Sequence, residues 1–204
     1  MSTPGHWDRI YSTKAPPETS WYEPHLEVSL AWIARAAPDR TAAIIDAGGG
    51  ESTLVDDLYA HGYRSLTVLD LSVAALEKTR RRLGSAAEAI QWISGDVTQV
   101  SLPDRAYDLW HDRAVFHFLT DPDQRAAYVR TLEASLRLGG RAVFATFGPQ
   151  GPQKCSGLDT CRYDAESLAR ELGPAFHLVR SALIEHTASP RAAQQFQYCD
   201  FELC

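Results

Sequence analysis

Three acidic residues stand at or just beyond the ends of three short apolar runs. Asp46 closes Ala42-Ala43-Ile44-Ile45 and leads into Gly48-Gly49-Gly50. Asp70 closes Leu66-Thr67-Val68-Leu69, and Asp96 follows Gly95 after Ala89-Ile90-Gln91-Trp92-Ile93. A glycine turn lets the backbone approach a ligand closely, because no Cβ intrudes. A carboxylate closing the second strand of such a series can accept both hydroxyls of a ribose. Asp96 is placed to accept a hydrogen bond from an adenine amino group, with Val97 against the ring. Taken singly, each acid is an ordinary turn or cap residue. Their order along successive strand ends is what points to a nucleoside.

Two details weigh against a dinucleotide. The dinucleotide fingerprint needs a third glycine for helix packing, and Thr53 stands at that place. A pyrophosphate favours a helix N-terminus without a carboxylate, yet Glu51 opens this helix. A ligand with a positive charge and no phosphate tolerates these acids.

The elements that position the three acids follow from periodicity. A short helix is expected around Trp7–Tyr11, and a longer one over 22–37 with Leu26, Leu30, Ile33 and Ala34 on one face, stopped by Pro38-Asp39. Helices are then expected at 51–61, from Ser72 as cap to Gly84, at 121–137 ending on Gly139-Gly140, and at 164–172. Strands fit 42–46, 66–70, 89–93, 107–111 and 142–146. A Gly/Pro loop covers 148–160. Two further strands, about 176–186 and 194–203, are joined near Ala188-Ser189-Pro190. Strand–helix alternation followed by two strands implies an α/β fold with a mainly parallel sheet and an antiparallel edge. Residues 1–38 read as an N-terminal extension and helix, and 39–204 as the ligand-binding domain.

The series Asp46-Ala47-Gly48-Gly49-Gly50, Leu69-Asp70-Leu71-Ser72, Gly95-Asp96-Val97 and Tyr107-Asp108-Leu109-Trp110-His111-Asp112-Arg113 resembles the class I S-adenosylmethionine-dependent methyltransferases. The resemblance covers roughly residues 40–147. It implies a Rossmann-like, doubly wound, seven-stranded sheet of order 3-2-1-4-5-7-6 with strand 7 antiparallel. It also implies S-adenosylmethionine as cofactor and S-adenosylhomocysteine as product. Asp46 would support the glycine loop near the methionyl amino end, Asp70 would take the ribose hydroxyls, and Asp96 with Val97 the adenine. Gly48, Gly49, Gly50 and Ser52 of the loop, Leu71 and Ser72 after the second strand, and His111 and Asp112 after the fourth complete the implied cofactor set. Many family members carry another small residue or Cys where Gly49 stands, a departure expected to leave binding intact. N-terminal aromatic segments in such proteins fold over the cofactor as a lid, since aromatic faces suit a sulfonium and a lid excludes water. Trp21 and Tyr22 are the expected lid residues, and Trp7 is expected to anchor the extension.

Candidate catalytic side chains are His117, Asp112 and Tyr11. His117 is a possible general base, against the plainer reading of a satisfied helix histidine. For Asp112 and Arg113 the plainer reading is a local ion pair or cap. Transfer of a sulfonium methyl chiefly needs alignment and the removal of water, and an anionic nucleophile needs no base at all. Cys155 is a candidate contact for a soft substrate, and Cys199 a candidate inward-facing thiol.

Composition narrows the acceptor. The formal charge of −6 lacks the basic face that phosphate neutralisation demands, and the lone basic cluster Lys78, Arg80, Arg81 and Arg82 reads as a solvated helix end. The Asn/Asp-Pro-Pro-Tyr motif of nucleic-acid amino methyltransferases is absent after strand four, so nucleic acid is not the expected partner. No apolar run of membrane-spanning length and no export signal occur, and no Cys-x-x-Cys pair points to zinc. A cytoplasmic protein with reduced thiols and no metal is expected. A small-molecule acceptor, such as a thiol or a chalcogen oxyanion, fits the short chain and aromatic lid. The alternatives are a protein lysine, which an acidic chain would attract, and a module that binds S-adenosylmethionine without turnover. A nicotinamide oxidoreductase is the outsider.

Overall fold

The computed structural model describes residues 3–13, 18–19, 21–186 and 194–204. The central sheet contains seven strands: β1 (Ile44–Ala47), β2 (Leu66–Asp70), β3 (Ile90–Ser94), β4 (Tyr107–Arg113), β5 (Leu136–Phe147), β8 (Phe176–His186) and β9 (Gln194–Leu203). Their spatial order is β3-β2-β1-β4-β5-β9-β8. The first five run parallel, and β9 lies antiparallel between β5 and β8. With β8 and β9 as sixth and seventh members, this is the 3-2-1-4-5-7-6 order expected from sequence.

Helices cover both faces, so β1 and β2 are buried along their whole length. On one face α2 (Glu27–Ala36), α3 (Leu54–Ala60) and α4 (Val73–Leu83) bury Trp32, Ile33, Leu54, Leu58 and Leu76. On the other, α5 (Pro122–Ser135) and α6 (Ala165–Leu172) bury Tyr128, Leu132, Leu168 and Leu172. Burial of each large apolar side chain contributes about 1.5–3 kcal/mol. Thus α2, assigned by sequence to an extension, supplies part of the core. The edge strand β8 alternates between shielded and exposed positions, which is why its period-2 pattern was readable.

Local chemistry sets most boundaries. The Ser72 hydroxyl accepts the Ala75 N–H at the start of α4, and Asp121 accepts the Asp123 N–H before Pro122. Asp164 and Ser167 form a reciprocal capping box on α6.

Several expectations need correction. The second helix starts at Glu27 instead of residue 22, because Pro24 disfavours helical backbone in the approach, and it does so without a side-chain cap from Leu26. The fifth helix ends at Ser135, and β5 starts at Leu136. Its pairing with β4 jumps from Tyr107↔Leu136 to Leu109↔Arg141, so Gly139-Gly140 occupy a bulge and not a helix end. The loop at 148–160 contains a small hairpin, β6 (Lys154–Cys155) with β7 (Leu158–Asp159). The N-terminal helix α1 runs over Pro4–Thr13 and packs on α4. The connection near Ala188-Ser189-Pro190 lies outside the described residues. Among the described residues no helix is long and apolar enough to cross a membrane.

Candidate active site

The carboxyl ends of β1, β2, β3 and β4 converge on two adjoining cavities, as parallel sheets of this kind require. The larger has about 1020 Å³ of empty space, part of it continuous with solvent. Its lining includes Gly48, Asp70, Leu71, Gly95, Asp96 and Val97 from the strand ends. Much of the rest is aromatic, with Trp7 and Tyr11 from α1, Trp21, Phe118, Phe147 from β5 and Phe196 from β9, and it includes Cys155 and Arg113. The smaller cavity lies over the glycine turn and is lined by Asp46, Gly48, Gly49, Glu51, Ser52, His111, Trp21, Tyr22 and Glu23, among others. Tyr11, Trp21, Gly48 and Arg113 border both.

The glycine turn is tight. A Cβ on Gly49 would come within 2.6 Å of Val68 Cγ1 and 2.7 Å of Asp46 Oδ2. A side chain at this position would therefore require Val68 or Asp46 to shift. Gly50 has φ +45°, and its Cβ would meet the Tyr11 hydroxyl at 2.8 Å and Asp70 Oδ2 at 3.1 Å. Asp70 and Tyr11 thus crowd the same point above the turn.

Burial governs the charges. The Asp70 carboxyl is pushed up to about 7, first by burial and also by Asp46 and Asp8, against the N–H groups of Ser72 and Gly50 that favour its ionised form. The Tyr11 hydroxyl is held well above its ordinary value by burial and by Asp70, Glu51 and Cys155. It therefore keeps its proton and can donate a hydrogen bond as well as accept one. Asp96 Oδ1 accepts the backbone N–H and the hydroxyl of Thr98, which fixes the carboxylate at the cavity edge.

Beneath the turn runs a buried polar chain. His111 Nδ1 donates to Asp46 Oδ1 at 2.7 Å, and its Nε2 lies 3.0 Å from the Ser29 hydroxyl. Ser29 in turn meets the Tyr198 hydroxyl at 3.1 Å. This chain links β1, β4, α2 and β9.

Three predicted side chains line neither cavity. Asp112 is fully buried and accepts the N–H groups of Val115 and Phe116 and the Tyr128 hydroxyl at 2.5 Å. It is a turn holder and is not paired with Arg113. Ser72 caps α4 and donates its hydroxyl to Asp8 Oδ1 at 2.5 Å. His117 stacks on Phe147 with ring centroids 4.1 Å apart, and its Nδ1 accepts the Phe147 N–H. Burial, reinforced by Arg113, lowers it to about 3, so it stays neutral. Cys199 is likewise in the core, its thiol raised to about 12 by burial. The basic cluster is engaged locally: Lys78 with Glu51, Arg80 with Glu77, and Arg82 with Asp56.

Sequence reasoning missed Arg113, Phe147 and Phe196 as cavity walls, and it gave Trp7 only an anchoring role. Trp7 packs edge-on against Phe118 and Trp21 at 5.2 and 5.9 Å, so it is part of the aromatic wall. Another sign lay hidden in Ala114, whose φ of +70° strains the backbone at the cavity wall.

A family model described as a methyltransferase domain matches residues 44–140. A mouse eEF1A lysine and N-terminal methyltransferase is 24% identical over 139 residues, covering 68% of this chain and 19% of that protein. The chain thus spans about a fifth of the length of that relative. A zebrafish EEF1A lysine methyltransferase 2 is 25% identical over 196 residues, 88% of this chain and 77% of that one. Among solved structures, the Burkholderia thailandensis 1,6-didemethyltoxoflavin-N1-methyltransferase superposes with a TM-score of 0.70 at 18% identity, covering 100% of this chain and 91% of that one. The fold is that of the class I S-adenosylmethionine-dependent methyltransferases, and the matched methyltransferase segment supplies the glycine turn with Asp46, Asp70 and Asp96, while Trp7, Tyr11, Trp21, Phe147 and Phe196 of the cavity walls lie outside it. The Burkholderia structure holds S-adenosylhomocysteine, the product form of S-adenosylmethionine. The cavity suits it: three acids, broad aromatic faces and a glycine turn accommodate a sulfonium and a nucleoside without phosphate.

Proposed function

We propose that this protein transfers the methyl group of S-adenosylmethionine to a small-molecule acceptor carrying a soft nucleophile, such as a thiol. The observation that carries this reading is one cavity whose lining joins the carboxylates of Asp70 and Asp96 to the broad aromatic faces of Trp7, Trp21, Phe118, Phe147 and Phe196. Asp70 and Asp96 accept the ribose hydroxyls and the adenine amino group, with Val97 against the ring. Asp46 and the glycine turn take the methionyl end. Bound there, the cofactor supplies an activated methyl whose leaving group is a neutral thioether. The acceptor's lone pair forms the new bond while the electron pair of the broken sulfur–carbon bond stays on sulfur.

The protein's share is alignment and exclusion of water. Trp7, Tyr11 and Trp21 close the cavity from the N-terminal segment, Phe118 from the turn after β4, and Phe147 and Phe196 from the sheet. No side chain of the aromatic wall is suited to removing a proton. Tyr11 holds its own, and His117 and Asp112 face elsewhere. That favours a nucleophile which is already ionised or readily becomes so. A protein lysine is the second reading, favoured by the similarity to the zebrafish enzyme over most of this chain.

Calorimetry with S-adenosylmethionine, S-adenosylhomocysteine and NAD, on wild type and Asp70→Ala, tests the proposal. Binding of the sulfur nucleotides, none of NAD, and about ten- to hundredfold weakening by the substitution are expected. Folded protein that binds neither sulfur nucleotide would defeat it. Release of S-adenosylhomocysteine with a thiol panel, set against basic peptides, separates the two acceptors.

A further inference from the structure

Arg113 is the only lysine or arginine among the described residues that line the two cavities, and it borders both. Its side chain is 7% exposed. Nη1 donates to the Trp21 carbonyl at 3.0 Å and Nη2 to Glu23 Oε1 at 2.6 Å. The guanidinium carbon lies 4.9 Å from the centroid of the Phe196 ring. Two tethers and an aromatic floor therefore fix the plane of the fork. Its remaining edge is unfinished: Nε is buried and has no hydrogen-bond partner.

A buried guanidinium N–H without an acceptor is costly, and a ligand or an ordered water is what completes it; of the two arginines left so among the described residues, Arg113 and Arg180, only Arg113 lines either cavity. Glu23 does not fill the gap. It takes one N–H of Nη2 and is shared with His186 Nδ1 at 2.8 Å. The group that best matches the side of a fixed guanidinium is a planar oxyanion, which accepts two parallel N–H bonds. The position is also suited to an acceptor, since Arg113 sits between the glycine-turn cavity and the aromatic walls of Phe147 and Phe196.

We infer that Arg113 is a specificity-determining residue that docks an anionic group of the methyl acceptor, a carboxylate or a comparable oxyanion, beside the reacting methyl. This rests on the methyltransferase reading above and narrows it. The acceptor is then a small molecule with an oxyanion and a soft nucleophile within one short span, not a lysine ammonium.

The test uses the whole chain loaded with S-adenosylhomocysteine and two probes of one shape, 2-mercaptobenzoate and 2-mercaptobenzyl alcohol. Calorimetry reads binding, and S-adenosylhomocysteine release from S-adenosylmethionine reads turnover. Wild type is expected to bind the carboxylate at least about tenfold more tightly than the alcohol. Arg113→Gln should abolish that preference by weakening the carboxylate alone, Arg113→Lys should restore part of it, and S-adenosylhomocysteine affinity should change by less than about threefold. Equal binding of the two probes to wild type overturns the inference, whatever the variants do. So does a large loss of S-adenosylhomocysteine binding in Arg113→Gln with the probe preference kept, since the anion would then be the cofactor's own carboxylate. Failure of wild type to bind S-adenosylhomocysteine removes the methyltransferase reading together with this one. Binding without anion preference removes only this one.

Discussion

His111 Nδ1 lies 2.7 Å from Asp46 Oδ1, with the imidazole fully buried and the carboxylate 6% exposed. The pair joins β1 to β4 directly under the glycine turn, and Ser29 and Tyr198 continue it into α2 and β9. Removing the imidazole leaves a buried carboxylate without its donor, the situation in which a broken polar pair is most costly. His111→Ala is expected to lower stability by about 3 kcal/mol, and Ser29→Ala by about 1 kcal/mol. Because the two share one network, the double substitution should cost less than the sum. Urea unfolding of the three variants checks this. His111→Ala should also weaken S-adenosylhomocysteine binding, since Asp46 borders the cavity, whereas an isolated core defect would leave it unchanged.

Asp70 gives the site a pH dependence. Its carboxyl holds a proton up to about 7 in the unliganded protein, while ribose hydroxyls donate to the ionised form. Affinity for S-adenosylhomocysteine should therefore rise as pH increases through about 7 and level off above it. Asp70→Asn should bind weakly with little slope over the same range. The effect on stability has the opposite sign. Between the ordinary 3.8 and about 7 the folded state binds more protons at this position than the unfolded chain. This carboxyl therefore lowers stability progressively as pH rises across that window, and Asp70→Asn should flatten that part of the curve. Thermal melts of the free protein at several pH values read the second effect apart from the first.

Much of this was legible in local sequence, and the rest was not, for physical reasons. Leu66–Asp70, Phe176–His186 and the Ser72 cap could be placed because their signals lie within a few residues. The acids at the strand ends were legible because topology brings successive parallel strands to one rim. Nothing local relates His111 to Ser29 and Tyr198, or Arg113 to Glu23, because those partners meet only after the sheet forms. The start of β5 was misread because Gly139-Gly140, ordinary helix-stop residues, serve a bulge whose existence depends on β4.

The turn after β4 joins strain to support. Ala114 sits at φ +70°, and Asp112 fixes the following turn by accepting two N–H groups and the Tyr128 hydroxyl. Burial pushes the Asp112 carboxyl up to about 6, against the pull of Tyr128. Asp112→Ala should cost about 2–4 kcal/mol, because two buried donors and one part-buried donor lose their acceptor. Ala114→Gly should instead be neutral or stabilising by up to about 1 kcal/mol, as glycine adopts this conformation without the Cβ penalty. Denaturant midpoints moving in the same direction for both would contradict this account.

His117 offers a cleaner separation of structure from chemistry. Its imidazole is neutral, stacked on Phe147, and engaged through Nδ1 with a backbone N–H, outside both cavities. Asparagine places an acceptor oxygen close to the same point. His117→Asn should keep turnover within about threefold while lowering stability by about 1 kcal/mol through the lost ring stack. A large drop in kcat with an altered acid limb of the pH profile would instead mark it as a base.

The N-terminal helix holds its part of the aromatic wall through few contacts. Asp8 accepts the Ser72 hydroxyl at 2.5 Å and the Ala74 N–H at 3.3 Å, so a carboxylate of α1 serves the first turn of α4. Lys78 of α4 binds the Tyr11 carbonyl and Glu51. These bonds set the positions of Trp7 and Tyr11 in the cavity wall, while the core of the sheet does not depend on them. Asp8→Ala should therefore cost no more than about 1 kcal/mol in stability. It should raise both association and dissociation rates of S-adenosylhomocysteine, dissociation the more, since a loosened wall admits ligand faster and holds it less. Stopped-flow measurement of tryptophan fluorescence on binding reads both rates. An unchanged dissociation rate would show that α1 is a fixed wall whose position owes nothing to the Asp8 contact.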